Sequence, residues 1–202
     1  MKFLAIDCSQ EFLVVVGFNG EKTAFRHITD SPFKHSVNLL DAVEDVLCQL
    51  KMEISQLDFI GCVIGAGSFT GIRIGIATVK GFCAPFNVKA LPITAFSVMA
   101  YTKQKGSYMS VIDAKHDNYY VCGYIDGQVV VPPNFVNKEE FERLKSGYSL
   151  LSYGEINGYK TEIVNPVEGL INACFNLADN LIEADLLSPL YLRASQAEEG
   201  RQ

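Results

Sequence analysis

The pattern that most constrains this chain is an echo of itself. Lys2-Phe3-Leu4-Ala5-Ile6-Asp7 and Tyr108-Met109-Ser110-Val111-Ile112-Asp113 are strand candidates that both end in Ile-Asp and a small residue, Cys8 or Ala114. Each is followed by a polar turn and a second apolar run, residues 12–17 or 119–125. Each second run passes through an Xaa-Gly turn, Asn19-Gly20 or Asp126-Gly127, into a third strand at 22–27 or 129–131. Xaa-Gly between apolar runs marks a hairpin, because a tight hairpin turn needs left-handed backbone at its centre. A repeated order of strand, turn, strand, turn and strand implies duplication. The expected fold class is therefore α/β, with two related domains, each built on a mixed sheet opened by an antiparallel meander. The expected division falls near Lys103–Gly106, giving residues 1–103 and 104–202.

The remaining pattern fills both halves. Asp30-Ser31-Pro32 reads as a helix start, and the helix is expected over 33–50. Residues 57–64 form a continuous apolar run of the kind buried on both faces of a sheet. A glycine-rich loop at 65–70 leads into a helix expected over 71–86, then a short strand at 88–91 and a short helix at 94–101. The second half continues with helices at 137–146 and 166–181 and a strand at 148–153.

Composition narrows the class. A hydrophobic fraction of 49% with 20% charged residues belongs to a packed globular chain. The longest apolar candidate, residues 72–86, carries Arg73 and Lys80, and the run before Asp7 is too short for a signal-peptide core, so no membrane association is expected. The six cysteines contain no C-x-x-C pair and lie mostly in apolar runs, which reads as reduced, buried thiols in a cytoplasmic protein. A net charge of −6 without a basic cluster argues against autonomous binding to RNA phosphates.

The segment Gly65-Ala66-Gly67-Ser68-Phe69-Thr70-Gly71-Ile72-Arg73-Ile74-Gly75 joins a buried strand to a helix, where backbone N–H groups often meet phosphate. It lacks the Gly-Lys-Ser/Thr of a Walker loop. It also lacks the third glycine of a dinucleotide fingerprint and the acidic residue after the next strand. The plainer reading is a tight strand-to-helix turn whose glycines allow close packing. In the helix that follows, Ile72, Ile76, Val79, Cys83 and Phe86 share the expected core stripe, while Ile74, Ala77, Thr78 and Gly81 make a second stripe of apolar or small residues nearly opposite. Small residues at that spacing either let another helix approach or bury the helix on two sides within its own domain. In the 33–50 helix, Leu39, Leu40, Ala42, Val43, Val46, Leu47 and Leu50 cover an arc wider than the ~100° of one core stripe. Two helices too apolar for one contact each point to a helical interface with a partner chain.

Asp7 and Asp113 end the two echoing strands. They read either as carboxylates facing each other across an interdomain cleft, or as caps on their own turns. The three histidines, His27, His35 and His116, show no metal-ligand spacing, and no serine or cysteine nucleophile has a partner at readable spacing.

These motifs together resemble the TsaB (YeaZ-type) family. Ile6-Asp7-Cys8-Ser9 is similar to its Ile-Asp-Thr-Ser opening, and His35-Ser36 with Leu39-Leu40 to its His-Ser-x-x-Leu-Leu helix start. The glycine segment, with Thr78, Lys80 and Gly81, resembles its long signature; Asp113-Ala114 and Pro189-Leu190-Tyr191-Leu192-Arg193 match its second-domain start and C-terminal motif. Ala66, Cys8 and Lys115-His116 depart from the family's proline, threonine and arginine pair. The resemblance implies an ASKHA (actin/Hsp70-like, RNase H-like) fold. It implies a non-catalytic subunit that activates a TsaD-type threonylcarbamoyl transferase acting at adenosine 37 of tRNAs reading ANN codons. A TsaE-type ATPase joins that complex, the chain forms a homodimer when alone, and tRNA is met only through the complex. No cofactor is required, with at most weak nucleotide binding at a vestigial cleft of Asp7, Gly67, Ser68 and Asp113. The partner face would comprise Leu39, Val43, Val46 and Leu50 on the first helix, and Arg73, Ile74, Ala77, Thr78 and Gly81 on the second. The competing readings are an active actin-fold ATPase or sugar kinase using Asp7 and Asp113, and a glycoprotease.

Overall fold

The structure, a computed structural model, describes residues 1–29 and 35–193. Strands β1 (Phe3–Asp7), β2 (Leu13–Phe18) and β3 (Thr23–Ile28) form the first antiparallel meander. Its second turn is shaped by Asn19, whose Oδ1 accepts from the N–H groups of Glu21 and Lys22 at 3.0 and 2.9 Å. Helix α1 (His35–Leu50) follows; the proposed start at Asp30-Ser31-Pro32 lies outside the described residues. Strand β4 (Phe59–Val63), helix α2 (Phe69–Cys83), strand β5 (Lys89–Ile93) and helix α3 (Ala95–Ala100) complete the first pattern. The second comprises β6 (Ser107–Asp113), β7 (Asn118–Ile125), β8 (Gln128–Asn137), α4 (Lys138–Leu144), β9 (Ser149–Ser152), β10 (Thr161–Ile163) and α5 (Pro166–Leu177).

The two sheets run β3-β2-β1-β4-β5 and β8-β7-β6-β9-β10. Both have the same order, three antiparallel strands and then parallel additions to the first strand. This is the duplicated ASKHA architecture. Its layers follow from strand alternation. Leu4 and Ile6 of β1 point to one face, covered by α1 and α2; Phe3 and Ala5 point to the other, covered by α5. Helix α3 lies against α5 and covers the second sheet, where Tyr108, Ile112, Cys122 and Tyr124 join the same cluster, so one apolar core runs through both halves. On the second sheet's outer face Phe141 of the short α4 packs with Met109, Val111 and Val121. An aromatic group marks where α5 meets the first sheet. Phe3 stacks on Phe59 at 5.3 Å, and Phe175 meets Phe3 and Phe18 edge-on at 5.4 and 5.1 Å. Each such pair contributes on the order of 1 kcal/mol beyond area burial.

Several expectations shift, for local reasons. Helix α2 begins at Phe69, ahead of the expected 71, because Ser68 caps it by accepting from the Gly71 N–H at 3.2 Å. It ends at Cys83, since Pro85 cannot donate to the ladder, and Phe86 leaves the core stripe to become 53% exposed. Strand β8 extends well past residue 131 through Pro132 and Pro133; an edge strand tolerates prolines because one row of its N–H groups has no strand partner. Strand β10, too short and polar for a periodic signal, was not anticipated.

After α5 the chain returns to the first sheet. Ile182 bridges antiparallel to Ala90 on β5, Lys89 pairs with Glu183, and Leu187 is buried among the side chains of α1 and α2. Leu190 N–H then donates to Ile64 O at 2.8 Å. Residues past 103 therefore complete the packing of the first sheet.

Helix α5 depends on one close approach. A Cβ on Gly169 would lie 2.2 Å from the Val98 carbonyl oxygen of α3. Gly169→Ala is therefore expected to cost about 3 kcal/mol in urea unfolding, through forced separation of the two central helices. A change under about 0.5 kcal/mol would show that α5 can move without cost.

Candidate functional site

A cleft of about 740 Å³ opens between the two halves. One wall is the β1–β2 turn with the glycine loop, the other the end of β6 and its turn with the segment after β9; Tyr191, Leu192 and Arg193 close one side. The echoing aspartates end the two central strands and do the same local work. Asp113 Oδ1 accepts from the Lys115 N–H at 2.8 Å, and Asp7 Oδ1 accepts from the Ser9 N–H at 2.8 Å. Both carboxylates thus cap their own turns, the second of the two readings open from sequence.

Their surroundings then diverge. Asp113 lines the cleft, and its Oδ2 lies 3.4 Å from Lys115 Nζ. Asp7 is fully buried behind the cleft wall, with Oδ1 also accepting from Ser9 Oγ at 2.7 Å and Oδ2 without a hydrogen-bond partner. Burial pushes its carboxyl up to about 6, against the lowering effect of the two Ser9 bonds. A carboxylate this enclosed does not face Asp113 across open space, and only Asp113 is placed to touch a ligand.

The glycine loop is packed against the chain itself. Ser68 N–H donates to Ser9 O at 2.7 Å, and Gln10 Nε2 donates to Ala66 O at 3.0 Å. A Cβ on Gly67 would lie 2.0 Å from Ser9 O, and one on Gly71 would lie 1.9 Å from Cys8 O. The glycines allow the β1–β2 turn to sit where a phosphate would otherwise approach the start of α2. Gly67 and Ser68 do line the cleft, but the Ser68 N–H and hydroxyl both serve internal bonds. No group of three His, Cys, Asp or Glu side chains converges to hold a metal among the described residues.

The proposed partner residues divide. Leu39, Val43, Val46 and Leu50 are buried in the chain's own core, on a helix packed against β2 and β3, which corrects their assignment to a partner interface. The wide apolar arc of α1 arises because the helix fills the angle between the sheet and α2. What α1 leaves to solvent is Val37, 67% exposed, and Leu40, 56% exposed, among Asp41, Glu44 and Asp45. On α2 the second stripe is open: Arg73, Ala77 and Gly81 are exposed, Ile74 and Thr78 half-buried, and nothing lies within 4 Å of a Cβ placed on Gly81. Sequence reasoning missed Phe12 and Tyr153, whose rings meet edge-on at 5.2 Å at the cleft, and the bond from Gln10; none carried a periodic or spacing signal.

Asp7 gives the fold a pH dependence whose sign is fixed. Its native carboxyl holds a proton more tightly than the unfolded one, so stability falls as pH rises from about 4 to about 6. The loss from this group is roughly 3 kcal/mol across that window. Asp7→Asn keeps an acceptor for Ser9 and removes the titration. Denaturation at pH 4.5 and 7.5 is expected to show the variant gaining on wild type at the higher pH; equal differences at both would mean Asp7 titrates normally.

A family profile described as "TsaD: tRNA N6-adenosine threonylcarbamoyltransferase" matches residues 30–152. The tRNA threonylcarbamoyladenosine biosynthesis protein TsaB of Haemophilus influenzae is 26% identical over 125 residues, covering 59% of this chain and 52% of that protein. TsaB of Bacillus subtilis is 28% identical over 155 residues, covering 72% and 66%. The matched region thus spans about half to two thirds of these relatives' length. The solved structure of YeaZ from Pseudomonas aeruginosa superposes with a TM-score of 0.78 at 23% identity, covering 95% of this chain and 99% of that one, a likeness of fold. With the profile covering more than half of the residues and the TsaB relatives agreeing, the chain belongs to the TsaD-related family of tRNA threonylcarbamoyladenosine proteins, in its TsaB (YeaZ-type) branch.

Proposed function

We propose that this chain acts in tRNA threonylcarbamoyladenosine formation as a non-catalytic subunit that binds and activates a TsaD-type threonylcarbamoyl transferase. The open stripe of α2 carries this reading. A helix flanked by its own core on one side normally shows charged residues on the other, yet here Ala77 and Gly81 are small and exposed, with Ile74 and Thr78 half-buried beside them. Exposed Val37 and Leu40 add apolar surface from the helix packed beside it on the same sheet face. Small residues let a partner helix come close. The same surface would serve a homodimer when the transferase is absent, and a TsaE-type ATPase would join the heteromeric complex. With a net charge of −6, the chain would meet tRNA only through that complex, in the cytoplasm.

The proposal assigns no required cofactor. Nucleotide binding at Asp7, Gly67, Ser68 and Asp113 would be weak, because the Ser68 and Gly71 N–H groups are engaged within the chain and Asp7 is buried. An active ATPase or kinase would need Asp7 ionised and open to the cleft, whereas it is sealed. No helix of the described residues is long and apolar enough to cross a membrane.

Light scattering of the chain with the transferase of the same organism is expected to give one species at the summed mass. Ala77→Glu or Gly81→Arg should weaken that association by about a hundredfold or more, since each places a long charged side chain between helices. Both positions are exposed, so monomer stability should change by less than about 0.5 kcal/mol. Complexes of wild-type affinity from both variants would refute the interface, and ATP turnover abolished by Asp7→Asn would restore the enzymatic alternative.

A further inference from the structure

The C-terminal motif Pro189–Arg193 is not explained by the cleft or by the open helix face taken separately. One cluster joins them. Tyr191 stacks on Phe69 at the first turn of α2, ring centroids 4.8 Å apart and planes 21° from parallel. The Arg73 guanidinium carbon lies 3.8 Å from the centroid of the same Phe69 ring. Arg73 Nε donates to Tyr191 Oη at 2.7 Å. Arg73 also leads the open stripe of α2, followed at four-residue steps by Ala77 and Gly81. Its terminal nitrogens, the edge that takes a carboxylate through two parallel bonds, have no partner among the described residues. The other cation of α2, Lys80, is already committed to the Asp185 carbonyl oxygen at 2.9 Å.

We propose that Tyr191, with Phe69, is a positioning residue that holds Arg73 on the outer stripe of α2 so that its terminal nitrogens take a carboxylate of the partner subunit. This rests on the subunit reading above and names the chemistry of one contact within it. An unrestrained arginine loses several rotamers when it binds; one stacked on a ring and tied at Nε has already lost most of them. The two free nitrogens lie in the plane set by those restraints, so the ring and the hydroxyl choose the direction from which an acid must come. A carboxylate carried on a partner helix fits best, because the neighbouring Ala77 and Gly81 admit a helix at short distance.

The test is a double-mutant cycle on the full chain, titrated against the same organism's transferase subunit at low and high salt. Arg73→Gln is expected to weaken binding by about tenfold or more and to flatten the dependence of Kd on salt. Tyr191→Phe, which keeps the stacked ring and removes the hydroxyl, is expected to weaken binding about threefold at unchanged melting temperature. The double variant should bind no more weakly than Arg73→Gln alone, because Tyr191 acts through Arg73. Additive losses would overturn the positioning role. Wild-type affinity and salt slope in Arg73→Gln would overturn the proposal if Ala77→Glu still breaks the complex. If Ala77→Glu is also silent, the subunit interface itself falls, and this contact with it.

Discussion

The apposition of the glycine loop and the β1–β2 turn sets much of what surrounds it. One 2.7 Å bond from Ser68 N–H to Ser9 O ties together two loops that end neighbouring parallel strands. It requires backbone against backbone, and only glycine at 67 and 71 leaves room for the Cys8 and Ser9 carbonyls. Once formed, it fixes where α2 starts and so the rotation of that helix about its axis. That rotation decides which residues enter the core and which remain as the open stripe. In the same turn, Ser9 holds one oxygen of the buried Asp7 and leaves the other unpaired, at an electrostatic cost.

How much of this was legible varies with the range of the interaction responsible. The echo of Lys2–Asp7 in Tyr108–Asp113 announced two sheets of the same order, because strand alternation and Xaa-Gly turns are local chemistry. The core stripe of α2 was equally legible from Ile72 to Cys83. The failures share a cause: each depended on which neighbour a residue would meet. Leu39 and Val46 belong to an arc too wide for one contact, and sequence cannot distinguish a partner chain from the second wall of the same core. Asp7 and Asp113 look alike in sequence and share the same turn bond. Only their tertiary surroundings make the first buried and leave the second on the cleft. The Arg73–Tyr191 bond spans most of the chain, and no periodicity encodes it.

The two halves have also drifted apart in what they carry. The first sheet is covered on its outer face by two long helices, the second by the short α4 around Phe141. Shared topology with unequal cladding puts the broad helical surface on one side of the molecule. The cleft, central in position, holds a mixture of acidic and basic groups from Glu11 to Arg193 and no convergent charge.

The return of the chain to its first sheet bears on how the protein is made. Strands β1 to β5 are synthesised first, but the edge of β5 gains Ile182, the central sheet face gains α5, and the α2 flank gains Leu187 only after the second sheet has been made. Domains usually fold in the order in which they leave the ribosome. Here the first half must wait, with Phe3, Phe18 and Phe59 lacking their cover, until the second half has been threaded out behind it. Nascent chains of this protein therefore expose a sticky, half-finished sheet until α5 has been made, which makes them candidates for chaperone capture.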